Sequence, residues 1–175
     1  FKLVDDKTRK SWDFYGARKS QLKRVLKDLL DKLRASDYTV KFIRCDNAGE
    51  HIADLKKMCE GEYGIVLEYT APHTPQHNGV VERMFARDAK RALAMMLSAG
   101  WTKTMQSKLW AEATKTAALI GNSISNTRSS IPPDELFYGK PVNIYPNLIE
   151  FGRVGYVTNR QGMIGKFKER STKMV

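Results

Sequence analysis

The feature that most constrains this chain is the alternation of short β-rich runs with helix-period segments between residues 38 and 98. "YTVKFI" (38–43) and "GIVLEYT" (64–70) are rich in β-branched and aromatic residues and too short for typical helices. Between them, roughly Ile52–Glu60 reads as a short helix. After the second run the loop "APHTPQHNG" leads into a long helix from about Val80 to Ser98. Strands that alternate with helices must pack as layers, so the chain is expected to be an α/β domain. Asp46 would then sit just beyond the carboxyl end of a strand.

The flanks extend the pattern. "FKLV" (1–4) and "SWDFY" (11–15), separated by the polar "DDKTRK", read as an antiparallel hairpin. Between Ala17 and Ser36, Leu22, Val25, Leu26, Leu29, Leu30 and Leu33 line one helical face opposite Lys23, Arg24, Lys27 and Asp28. A further helix is expected from about Ser107 to Asn126, carrying Leu109, Trp110, Ala113, Ala117, Leu119 and Ile120. "IPPDELFYGKP" reads as turn-rich, "RVGYVT" as a strand, and the end as a basic tail. The length of 175 residues suits one domain, and no repeat or low-complexity linker interrupts it.

Charge narrows the function. Lys and Arg number 30 against 19 Asp and Glu, a formal net charge of +11. Such an excess favours a polyanion, because neutralising phosphates releases condensed counterions. No apolar run is long enough to span a membrane, and the start lacks a signal-peptide pattern. Cys45 and Cys59 are too few for a disulfide framework and fit a reducing compartment. The first residue is Phe, which suggests a piece of a longer polypeptide.

The candidate chemistry lies in two acids. Positions 47 to 81, 35 residues, separate Asp46 from Glu82. One follows a strand and the other lies in the first turns of the long helix, where an α/β sheet collects its ligands. Two converging carboxylates would suit a hard divalent cation. The structural alternative is that Glu82 only complements the positive end of its helix. It is no capping-box partner of Asn78, since that box would need the acid at Val81. Helical spacing puts Val81, Phe85, Ala92 and Met96 on a core stripe and Arg83, Arg87, Lys90 and Ala94 on the other side, with Glu82 at the border. A basic ridge beside a metal-binding acid points towards phosphodiester chemistry. His73 and His77, with Cys45, His51 and Cys59 elsewhere, lack a paired CxxC and read as polar loop residues rather than a zinc set. No Gly-x-Ser-x-Gly elbow, Walker loop or dinucleotide fingerprint occurs.

In order along the chain, "RCDNAGEH", "YTAPHTPQHNGVVER", "LWAEATKTAALIGNSI", "IPPDELFYGKP" and "FGRVGYV" resemble the integrase core of copia-type retrotransposon polyproteins. "VDDKTRKSWDFY" is similar to that family's second and third strands. The resemblance implies an RNase H-like fold, a mixed sheet flanked by helices, with the core over 1–128 and a short copia-type C-terminal extension over 129–175. It also implies a catalytic triad of Asp, Asp and Glu whose last two acids are 35 residues apart, so that Asp46 and Glu82 would be catalytic metal ligands for Mg2+ or Mn2+. Glu50 is a neighbouring family residue and is not assigned to the metal. Gln76, Asn78, Arg83, Arg87 and Lys90 are the candidates for holding DNA. Retroviral relatives place lysines where this chain has Ala86 and Ala89, and Ala48 replaces a frequent glycine.

The family's first Asp lies on the strand before "FKLVDD", so this chain reads as N-terminally truncated. Asp5 and Asp6 match the turn after the second strand instead. The implied activity is metal-dependent strand transfer of retrotransposon cDNA ends into target DNA, with little or none expected of this chain alone. The alternatives are a non-catalytic DNA-binding remnant or domesticated domain and, third, a hydrolytic nuclease of the same fold, against which the blocks after Trp110 argue. The implied partners are cDNA ends, target DNA and further copies in a homo-oligomer, with no membrane. The implied location is the nucleus during integration and a cytoplasmic particle before it. Loss of a strand would leave a neighbouring edge open and favour association.

Overall fold

The computed structural model describes residues 1–16, 21–45, 52–70, 78–144, 146, 148–158 and 171–174. The chain forms two compact units. The first comprises Phe1–Asp6 and Ser11–Ala86, the second Lys7–Lys10 and Arg87–Val175.

In the first unit β1 (Lys2–Val4) and β2 (Ser11–Asp13) form the expected hairpin, with Leu3 opposite Trp12. The cross-strand pair Lys2 and Asp13 is a buried ion pair, Lys2 Nζ donating to Asp13 Oδ2 at 2.8 Å. α1 (Leu22–Ala35) buries Leu26, Leu29 and Leu30, the centre of the apolar face read from the sequence. It ends where Asp37 takes a left-handed φ of 61°. There the Asp37 N–H donates to the Arg34 carbonyl and the Tyr38 N–H to the Leu33 carbonyl, satisfying carbonyls the helix would leave open.

β3 (Phe42–Cys45), α2 (Ile52–Tyr63) and β4 (Val66–Tyr69) form a crossover unit. The two strands are parallel, in a register that pairs Phe42 with Val66 and Cys45 with Tyr69. A parallel pair needs such a long connection, and the helix provides it. Leu26 and Leu30 of α1, Met58 and Cys59 of α2, Ile65 and Leu67 make one core, onto which Leu3 of the hairpin and Ile43 of β3 also pack. The described strands form three two-stranded sheets rather than one mixed sheet. Each strand has only three or four residues and pairs along a single edge, and the two pairs of this unit meet through side chains.

Burial pushes the Cys59 thiol from its ordinary value of 9.0 up to about 11, with Cys45 and Glu60 adding to it. The unfolded chain therefore loses this proton first. The stabilising contribution is complete below about pH 9 and is lost as pH rises towards about 11. The gap in melting temperature between the natural chain and Cys59→Ala is expected to narrow across that window. A gap that stays constant there would contradict the assignment.

α3 (Gly79–Ser98) starts in the first unit and continues into the second. Ala99 and Gly100, the latter with φ of 68°, turn the chain towards α4 (Lys103–Ser123). The Thr102 side chain caps α4 by accepting from the Met105 N–H at 3.3 Å. Ala92 and Met96 of α3 pack with Ala113 and Ala117 of α4 and with Trp101, whose ring lies 4.9 Å from that of Phe151. Gly152 follows with φ of 80°, and a Cβ there would come within 2.4 Å of the Ala99 Cβ. Only glycine fits both the backbone and the space. Of the apolar residues along α4, Ala113 and Ala117 are buried, whereas Trp110 and Leu119 are exposed.

The segment read as turn-rich contains a helix, α5 (Pro133–Tyr138). β5 (Gly155–Thr158) confirms the strand expected in "RVGYVT". It pairs antiparallel with β6 (Ser171–Met174), which the sequence suggested only as basic tail. Among the described residues no helix is long and apolar enough to cross a membrane.

Candidate functional site

The candidates meet the described residues mainly on α3. Its first turn closes when the Glu82 N–H donates to the Asn78 carbonyl at 3.1 Å. Glu82 is exposed there, and its negative charge complements the positive helix end. Ala86, Ala89 and Leu93 continue the same exposed face, with Ala86 one turn beyond the carboxylate. Asn78, immediately before the helix, is half-buried. Arg83 is exposed, and its guanidinium folds back towards Gly79, where a Cβ would lie 3.3 Å from Nη1. Lys90 is exposed as well.

Asp46 and Gln76 lie outside the described residues, as do Glu50, His51, His73 and His77. What is described is the frame on either side of them. Cys45, just before Asp46, is the register partner of Tyr69 at the carboxyl ends of the parallel pair. Cys45 and Tyr69 thus mark the carboxyl ends of the pair, the side at which α/β proteins bind ligands. Among the described residues no group of three or more His, Cys, Asp or Glu forms a metal-binding cluster.

The buried stripe of α3 runs Met84, Asp88, Ala92 and Met96. Phe85, expected in the core, is 40% exposed, with the Lys2 ammonium 5.4 Å from its ring centre. The stripe is rotated because a carboxylate, Asp88, occupies a core position and draws cations with it. Arg87 differs from Arg83 and Lys90 in this respect. It is half-buried, and its Nε donates to Asp88 Oδ1 at 3.1 Å. A reading based on apolar spacing passes over Asp88. The available signal was that Met84, Ala92 and Met96 fall at multiples of four from it.

Relatives of the chain are plant transposon proteins. It is 33% identical over 153 residues to the retrovirus-related Pol polyprotein from transposon TNT 1-94 of Nicotiana tabacum, a match covering 86% of this chain and 11% of that polyprotein. It is 27% identical over 173 residues to that from transposon RE2 of Arabidopsis thaliana, with 97% and 11% covered. To that from transposon RE1 of the same plant it is 27% identical over 175 residues, with 99% and 12% covered. Its homologues are copia-type retrotransposon polyproteins. No family model matches the chain. The chain spans little more than a tenth of the length of these relatives, and the similarity supports a retroelement-related function.

Proposed function

We propose that this chain is the RNase H-like core of a copia-type integrase, residues 1–128, with its extension over 129–175, and that it serves in joining retroelement cDNA ends to target DNA. The observation that carries this is Glu82. It is an exposed carboxylate on the first turn of α3, separated from Asp46 by 35 residues (positions 47 to 81), in a chain whose homologues are retrotransposon polyproteins. The donor set fits a hard cation, since an exposed carboxylate offers the oxygen ligand that Mg2+ or Mn2+ prefers. Asp46 and Glu82 would hold it with a third acid, and the bound metal would supply activation of a hydroxyl and charge stabilisation at the phosphorus.

The chain's own residues then divide the work. Glu82 presents its exposed carboxylate at the helix end. Arg83 and Lys90 offer exposed cations to the phosphate backbone, and Gln76 and Asn78 position the DNA end before the helix. The net charge of +11 supports a nucleic-acid partner. The same reading makes the active form a homo-oligomer that works on paired ends in the nucleus after a cytoplasmic particle stage.

The test begins with the transcript upstream of the Phe1 codon. An in-frame Asp on an apolar strand is expected within roughly 10–25 residues, the length of one strand and its loop. A purified segment that includes it should join a labelled element-end duplex to plasmid DNA in Mg2+, while the 175-residue chain alone should not. A stop, a frameshift or no acid there, with DNA binding indifferent to Mg2+, would replace this reading with a non-catalytic DNA-binding domain.

A further inference from the structure

Arg87 and Arg91 stand one turn apart on α3, and both lean towards Asp88. Asp88 is fully buried. Its Oδ1 accepts from Arg87 Nε at 3.1 Å and lies 4.0 Å from Arg91 Nη1. α4 closes the other side, where a Cβ on Gly121 would come within 2.7 Å of Arg91 Nη1 and 3.1 Å of Arg87 Nη2. Those two nitrogens are buried and have no hydrogen-bond partner. The rest of each side chain reaches solvent, with 34% of both exposed. Burial, then the Arg87 charge, lowers the Arg91 guanidinium from its ordinary value, and Asp88 acts in the opposite direction.

The chemistry of this cluster is that of an incomplete ion set. Asp88 sets one negative charge beside two guanidiniums, hydrogen-bonded to Arg87 and 4.0 Å from Arg91 Nη1. A free arginine gives up part of its roughly 2 kcal/mol of rotamer freedom when it grips an anion. Here the carboxylate and the close approach of Gly121 on α4 restrict part of that freedom beforehand. A phosphate group matches the forked donors and would relieve the repulsion between the two cations.

We propose that the exposed edges of Arg87 and Arg91 form one preorganised seat for a phosphodiester group, and that Asp88 is the positioning residue that holds both. The seat deepens the nucleic-acid reading, on which it rests for its natural ligand. Arg91 and Asp88 are additions to that reading.

Asp88→Asn separates positioning from simple charge. It raises the formal net charge of +11 by one, so electrostatics alone predicts tighter DNA binding. Positioning predicts the reverse. Duplex binding followed by anisotropy between about 50 and 200 mM salt is expected to weaken about ten-fold at the low end, with the log–log salt slope shallower by about one. Arg87→Ala and Arg91→Ala should each lower the slope by about one, and the double variant by no more, because they share one phosphate. Gly121→Ala keeps every charge and displaces both guanidiniums, so it should reproduce the loss if Asp88→Asn does not fold.

A second readout needs no DNA. Inorganic phosphate should shift the side-chain Nε–H resonances of Arg87 and Arg91 together in the natural chain, and not in Gly121→Ala. Phosphate that moves neither resonance would overturn the seat. So would a folded Asp88→Asn or Gly121→Ala that binds duplex as tightly as the natural chain with the same slope. Phosphate shifts without any duplex binding would keep the seat and remove the DNA reading instead.

Discussion

Replacing Asp134 with alanine is expected to destabilise the second unit by about 3–5 kcal/mol, the range for breaking a buried ion pair from one side. Asp134 pairs with Lys10, and each side chain is only 7% exposed. Ser123 Oγ reaches the other carboxylate oxygen at 3.4 Å. The Lys10 ammonium lies 4.7 Å from the Tyr138 ring centre and 5.8 Å from that of Phe137, so the cation is held by carboxylate and aromatic faces together. Alanine takes this carboxylate away from an ammonium that stays enclosed. The contact spans 124 positions of sequence and ties Lys7–Lys10 to α5 within this unit. Its loss should therefore appear as a lower urea midpoint rather than local fraying. The double variant Lys10→Met/Asp134→Leu should recover most of the loss, because it removes both charges at once. A cost below about 1 kcal/mol for Asp134→Ala would mean that the pair behaves like a solvated surface contact.

Asp134 also shows where the sequence was legible and where it was misread. "PDELFYG" carries a proline at the first helical position, two acids in the first turn and a glycine just past the end. Gly139 takes φ of 67°, and its N–H returns to the Glu135 carbonyl. These are helix start and stop signals, in a segment expected to be turn-rich. α1, α3 and α4 were legible because a long apolar period survives small errors of boundary. The phase of that period was less secure on α3, where Asp88 turned Phe85 outwards. β6 could not be read from "STKM" because its pairing with β5 is a long-range contact that local propensity does not encode. At the site, the place of Glu82 on the first turns of α3 followed from the spacing, which set it at the border of the core stripe; its exposure did not. The Arg87–Asp88–Arg91 cluster did not, since it depends on the approach of Gly121 from another helix.

Glu82→Gln is the substitution with the largest expected effect on chemistry. In a segment that supplies the third acid, strand transfer in Mg2+ should fall by at least about 10²-fold, since even outer-shell partners of a metal cost 10–100-fold. The fold should hardly respond. Glu82 is exposed, and losing its charge at the helix start should cost at most about 1 kcal/mol, read as a small drop in melting temperature. Metal-free DNA binding should stay level or tighten slightly, because a negative charge leaves a basic surface. Arg83→Ala should give the opposite pattern: weaker binding, a shallower salt slope by about one, and strand transfer restored as DNA concentration rises. The contrast between these two neighbours on one helical turn separates a metal ligand from a phosphate contact. If Glu82→Gln joins DNA within ten-fold of the natural segment, the carboxylate is only a helix-end charge and the metal site must lie elsewhere. If it is inactive yet melts many degrees lower, its role is structural. Loss of joining with intact folding and intact binding is the single outcome that the metal-ligand assignment allows.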